Sequence, residues 1–104
     1  MRKTATEIRM STDTILEKAR VVVYGRGEQD YGHPRENMTC NAQLWNAFLS
    51  RKGIIVKDNP ITERDVALMM VLTKVAREGQ TAKEDNLVDI AGWAEVANRV
   101  ETGR

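Results

Sequence analysis

The chain has 104 residues, 41% hydrophobic and 30% charged, which fits one small soluble domain with a modest core and excludes a disordered segment. Sixteen basic against fifteen acidic residues leave a net charge of +1. No whole-molecule field draws such a chain to nucleic acid or to an anionic membrane, and neither is expected as a partner.

Cysteine usage and the chain start narrow the class further. The lone Cys40 excludes an internal disulfide, and the lone His33 beside it excludes a structural zinc site of the usual Cys/His kind. Met1 to Glu7 contains no apolar core of a signal peptide, and no run approaches ~18 apolar residues. A reducing, cytoplasmic setting follows as the expectation.

Residues 1–10 are mixed polar without a period and read as a flexible N-terminal arm; residues 11–104 read as a single helical domain. Ser11, Thr12 and Asp13 offer caps for a first helix near 12–24, whose stripe is Ile15, Leu16, Ala19, Val22 and Val23, with Gly25 and Gly27 as its stop. A loop over 25–33 precedes Pro34, which suits the first position of a second helix running to about Lys52 and closed by Gly53. Met38, Ala42, Trp45 and Leu49 line one face of it, and Cys40 reads as a small buried apolar group.

Residues 53–60 form a connection ending in the Asn59-Pro60 turn signal. Thr62 with Asp65 resembles a capping box for a third helix that ends near Gly79. That helix is apolar almost all round, from Val66 through Leu72 to Val75 and Ala76, and is expected at the centre of the fold. A fourth helix runs from about Ala82 to Val100 with at least two apolar sides. The expected fold is all-α, an antiparallel four-helix bundle-like domain. Two broadly apolar helices in so short a chain suggest completion by homo-oligomerisation.

Lys74 and Arg77 interrupt the apolar third helix about 60° apart around Met70. Asp85 and Asp89 are i, i+4 neighbours on the fourth, and Asp89 shares its face with Trp93, Val96 and Val100. Charges set in apolar stripes are costly unless paired or serving a site. An Arg77–Asp89 ion pair that fixes packing is one reading, and a ligand pocket lined by these groups is the other. Asn37 and Asn41 fit either core hydrogen bonds or recognition of a base edge, since an amide donates and accepts at once.

The loop holding Arg26, Tyr31 and His33 leads into a helix N-terminus suited to phosphate, with Arg35 adding charge, although its spacing is not that of a P-loop. A rigid turn is the plainer reading of Tyr31-Gly32-His33-Pro34. No serine, threonine or cysteine has the setting of an activated nucleophile.

The stretch from Arg26 through Asp30-Tyr31-Gly32-His33-Pro34-Arg35-Glu36-Asn37 to Trp45 resembles a small bacteriophage family of unknown function. So do Ile61-Thr62-x-x-Asp65-Val66-Ala67-Leu68-Met69-Met70, Lys74-Val75-Ala76-Arg77, and Asp85-Asn86-x-x-Asp89-Ile90-Ala91-Gly92-Trp93-Ala94, together covering about residues 20–100. More distantly, Asp85 to Ile90 is similar to the second acidic motif of the all-α MazG and dimeric dUTPase nucleotide pyrophosphohydrolases. In that group the motif holds magnesium together with a Glu-x-x-Glu of the preceding helix. Here that position is Lys74-Val75-Ala76-Arg77, two cations where two metal ligands are expected.

The resemblance and the residues together suggest a non-catalytic binder of a phosphate-bearing nucleotide, needing no cofactor. Its ligand-binding residues would be Arg26, Tyr31, His33, Asn37, Asn41, Lys74, Arg77, Asp89 and Trp93. In a phage this could sequester a host nucleotide signal used in antiviral defence. The alternatives are a divergent magnesium-dependent pyrophosphohydrolase, with Asp85 and Asp89 as metal ligands, and a module that docks on a host factor.

Overall fold

The computed structural model describes residues 12–27, 32–54 and 56–104; the expected N-terminal arm, Tyr31 and Ile55 lie outside them, as does the side chain of Arg26. The described residues contain four α-helices and no strand: α1 Ile15–Val21, α2 Pro34–Arg51, α3 Glu63–Gln80 and α4 Glu84–Thr102. The expected all-α, bundle-like architecture is the observed one.

Local chemistry sets each boundary. Thr14, rather than Thr12 or Asp13, caps α1. Its hydroxyl accepts from the Glu17 amide while the Glu17 carboxylate accepts from the Thr14 amide, both at 3.2 Å. The choice has a reason in the sequence: of these candidates only Thr14 has an acid three residues on, which the reciprocal cap requires.

The chain does not stop at Gly25. It widens into a π-helical turn over Val22–Gly27, a segment whose β-branched and glycine residues are poor α-formers. Pro34 opens α2 as expected, and Gly53, at φ 87°, follows its last turn in the left-handed region that glycine enters freely. Thr62 and Asp65 form the expected capping box on α3. Gly79 does not end that helix, which continues to Gln80 because Thr81 leaves it in an extended conformation.

The core forms where α2, α3 and α4 converge. Ala42, Ala67 and Ala97, one from each helix, are buried together with Met38, Val66 and Val100. Small side chains at the crossing let three backbones approach closely, and Trp45, Ile61, Trp93 and Val96 pack around them. The α3–α4 pairing is the most extensive, and it is antiparallel: Lys74 meets Asp89, and the Glu78 carboxylate accepts from the Asn86 amide four residues further along α3.

Two expectations about burial fail. Among the residues of α3 only Val66 and Ala67 are buried, while Leu68, Met69, Leu72 and Val75 are exposed. The cause is topological: α1 packs on α4 instead of on α3, so among the described residues no further helix covers the outer side of α3. Cys40 is exposed as well, on the outer side of α2, away from the Met38–Ala42 face.

Polar ties hold the connections. The side-chain amide of Asn46 donates to the Ile61 carbonyl and its oxygen accepts from the Ile61 amide, both at 2.9 Å, which fixes the chain entering α3 against α2. Asn46→Ala leaves both backbone groups without these partners. A loss of about 1–2 kcal/mol is expected, read as a lower denaturant midpoint at an unchanged slope. At the other end, the Arg35 guanidinium donates twice to the Val100 carbonyl, at 2.9 and 3.2 Å, joining the start of α2 to the end of α4.

Candidate functional site

A cavity of about 290 Å³ opens between the π turn, the start of α2, α3 and α4, and most of its wall is apolar. The π turn supplies Val22 and Val23, so the widened backbone has a consequence: it delivers two valines to a wall that a tight α-helical stop at Gly25 would not have shaped. The start of α2 supplies Pro34, Asn37 and Met38, α3 supplies Lys74, and α4 supplies Asp89, Gly92, Trp93, Val96 and Arg99. Gly92 keeps α4 close to the π turn, since a Cβ there would lie 3.3 Å from Val23 Cγ2.

Four of the expected ligand residues therefore share one cavity: Asn37, Lys74, Asp89 and Trp93. Their sequence separation reaches 56 positions, and only the antiparallel packing unites them. The Lys74 ammonium lies 3.3 Å from the Asp89 carboxylate, a pair that is partly screened from water. This replaces the expected Arg77–Asp89 pair. One helical turn explains it: Lys74 points toward α4, whereas Arg77, three residues on, is rotated about 60° away and is exposed outside the cavity wall.

The remaining candidates separate. Asn41 is not part of the wall; its amide donates to the Asn37 oxygen at 3.5 Å, a weak contact that orients Asn37 along α2. His33 is committed to structure. Its Nδ1 accepts from the Arg35 amide at 3.0 Å and so caps α2, which leaves the proton on Nε2 facing the Arg104 carbonyl at 2.7 Å. The rigid-turn reading of that loop is thus the one its histidine follows, although neighbouring Gly32 and Pro34 do reach the cavity.

Arg99 is a wall residue that the sequence reading missed. It is buried, its Nε donates to the Arg104 carbonyl at 2.9 Å, and its guanidinium carbon sits 4.5 Å from the centre of the Tyr24 ring. The signal was faint: Arg99 sits among polar neighbours, Asn98 and Glu101, and only its position one turn beyond Val96 puts it beside the Asp89–Trp93–Val96 face. Tyr24 is itself held between Arg99 and Arg20, and burial, followed by the Glu95 carboxylate, raises its hydroxyl pKa above the ordinary value of 10.0.

The residues do not fit a magnesium centre. Among the described residues no three His, Cys, Asp or Glu side chains gather to hold an ion, and the ammonium of Lys74 lies against Asp89 where a metal would have to sit. No helix of the described residues is long and apolar enough to cross a membrane.

Comparison with known proteins agrees in extent with the helical domain. A family model described as "Domain of unknown function (DUF6378)" matches residues 14–101. The chain is 34% identical over 90 residues to the Gene 55 protein of Mycobacterium phage D29, covering 86% of this chain and 54% of that one. It is 37% identical over 89 residues to the Gene 55 protein of Mycobacterium phage L5, covering 85% and 53%. The chain spans about half the length of these curated relatives. No solved structure matches.

Proposed function

Since this chain belongs to the DUF6378 family, whose description assigns no activity, and has bacteriophage relatives, we propose from its cavity that it binds a phosphate-bearing nucleotide without hydrolysing it. The observation that carries the reading is the convergence of Asn37, Lys74, Asp89 and Trp93 from three helices on one largely apolar cavity of about 290 Å³. That volume lies at the low end for small-ligand sites and suits a nucleoside or mononucleotide unit.

Each residue has a task within this reading. The Trp93 indole offers a flat apolar surface for a base, and such stacking contributes roughly 1–3 kcal/mol. Asn37 donates to and accepts from a base edge. Lys74 receives phosphate as a point charge. Asp89 holds Lys74 in place and also competes for it, so the anion has to displace a carboxylate. In an infected cell such a binder would sequester a host nucleotide signal.

Calorimetric titration of the purified chain with nucleoside mono-, di- and triphosphates, with and without a chelator, tests the proposal. Binding that survives chelation, with the nucleotide recovered intact, is expected. Turnover of a triphosphate, or binding that needs magnesium, would overturn it in favour of the pyrophosphohydrolase reading. Asp89→Asn supplies a sign: it frees Lys74 and should tighten phosphate binding by about tenfold, as one charge-assisted contact is gained. Weaker binding in that variant would show instead that the carboxylate reads the base.

A further inference from the structure

We propose that the uncovered side of α3 pairs with the same helix of a second copy, antiparallel about a two-fold axis near Leu72. Leu68, Leu72 and Val75 recur at i, i+4 and i+7, so they form one stripe; Leu72 is 66% and Val75 50% exposed. Leu87, on the adjoining turn of α4, is exposed as well. Apolar residues so arranged on one helix are an interaction surface.

The choice of occupant rests on the charges beside the stripe. At about 100° per residue, Arg64 and Glu78 both fall on the same flank of the Leu68–Leu72–Val75 line, near opposite ends of the helix. A two-fold axis perpendicular to antiparallel helices brings like flank to like flank. With Leu68 set against the partner's Val75, Arg64 lies beside the partner's Glu78, whose Oε1 already accepts from Lys83 and Asn86 of its own chain and whose Oε2 is left to the guanidinium; symmetry repeats the contact at the other end. On the opposite flank the long Met69 meets the partner's small Ala76. A parallel copy would bring opposite flanks together, and Arg64 would then not meet the partner's Glu78.

The exposed pair Leu44 and Phe48 on α2 has no such complement, and the Phe48 ring already carries Lys52 at 5.8 Å. The 18-residue helix is about 27 Å long, so two of them bury on the order of 1,000 Å². Contacts of that size dissociate readily, and a micromolar equilibrium follows.

Sedimentation analysis of the full chain from about 1 to 300 µM should show a monomer passing into a dimer. Leu72→Glu should leave a monomer with unchanged circular dichroism. Arg64→Glu should weaken the dimer about tenfold, whereas Arg64→Lys, which keeps the charge, should leave it nearly unchanged. A wild-type monomer at every concentration overturns the proposal, and so does a dimer that survives Leu72→Glu. If Leu72→Glu does not fold, the charge variants decide, and a dimer indifferent to Arg64→Glu overturns it. The nucleotide cavity faces α4 rather than this side, so nucleotide binding by the monomeric Leu72→Glu variant separates the fate of this proposal from that of the cavity reading.

Discussion

Ala67→Leu is expected to lower stability by about 3 kcal/mol or more, because overpacking a site with no room forces backbones apart. Ala67 is fully buried at the crossing of α2, α3 and α4, where Ala42 and Ala97 are its counterparts on the other two helices. Three added heavy atoms have to displace helix backbone or side chains such as Met38 and Val100 that are already buried in the same cluster. A chain of 104 residues has roughly 5–15 kcal/mol of total stability, so this one change removes a large share of it. The thermal midpoint should fall by at least about 10 °C. Ala94→Leu, at an exposed position of the neighbouring helix, is the matched control and should stay within about 0.5 kcal/mol. Equal midpoints for the two variants would mean that the alanine crossing is not tightly packed.

Removing Glu84 should cost about 2 kcal/mol, more than removing the lysine it faces. The Lys18 side chain is 3% exposed and pairs with Glu84, which is 53% exposed, across the contact between α1 and the start of α4. Glu84→Ala leaves a buried ammonium without its carboxylate, for which fully buried sites lose roughly 3–5 kcal/mol; the half-open acid end reduces that figure. Lys18→Met removes the charge and keeps an apolar stem of similar length, so its cost should be clearly smaller. The double variant should recover most of what Glu84→Ala loses. Glu84 also sits at the first position of α4, where an acid is favoured by the helix dipole by about 0.5 kcal/mol. The four-way comparison of denaturant midpoints separates that local effect from the pair. A Lys18→Met variant less stable than Glu84→Ala would contradict the assignment.

The sequence by itself determined the helices and most of their ends, because those depend on neighbours three or four residues away. The Thr62–Asp65 box, Pro34 at the first position of α2 and Gly53 after its last turn are local devices, and each acts as its spacing predicts. A small phage family of unknown function could also be read, and the family model over residues 14–101 and the phage relatives agree with it. Part of the site was legible for a related reason: a charge or amide embedded in an apolar stripe marks a place where burial is costly, and Asn37, Lys74 and Asp89 were found that way.

Tertiary structure decided which of these marks belong together. Lys74 and Arg77 are nearly equivalent in the sequence, and only the direction of α4 selects Lys74 for Asp89 and leaves Arg77 in solvent. His33 was readable as a turn residue or as a ligand contact, and the fold, which brings Arg104 to its ring just past the end of α4, favours the first. The apolar circumference of α3 predicted burial, but hydropathy states what a side chain prefers and not whether a neighbour is there to meet it. Because α1 lies on α4, that neighbour is missing among the described residues, and the outer side of α3 stays exposed.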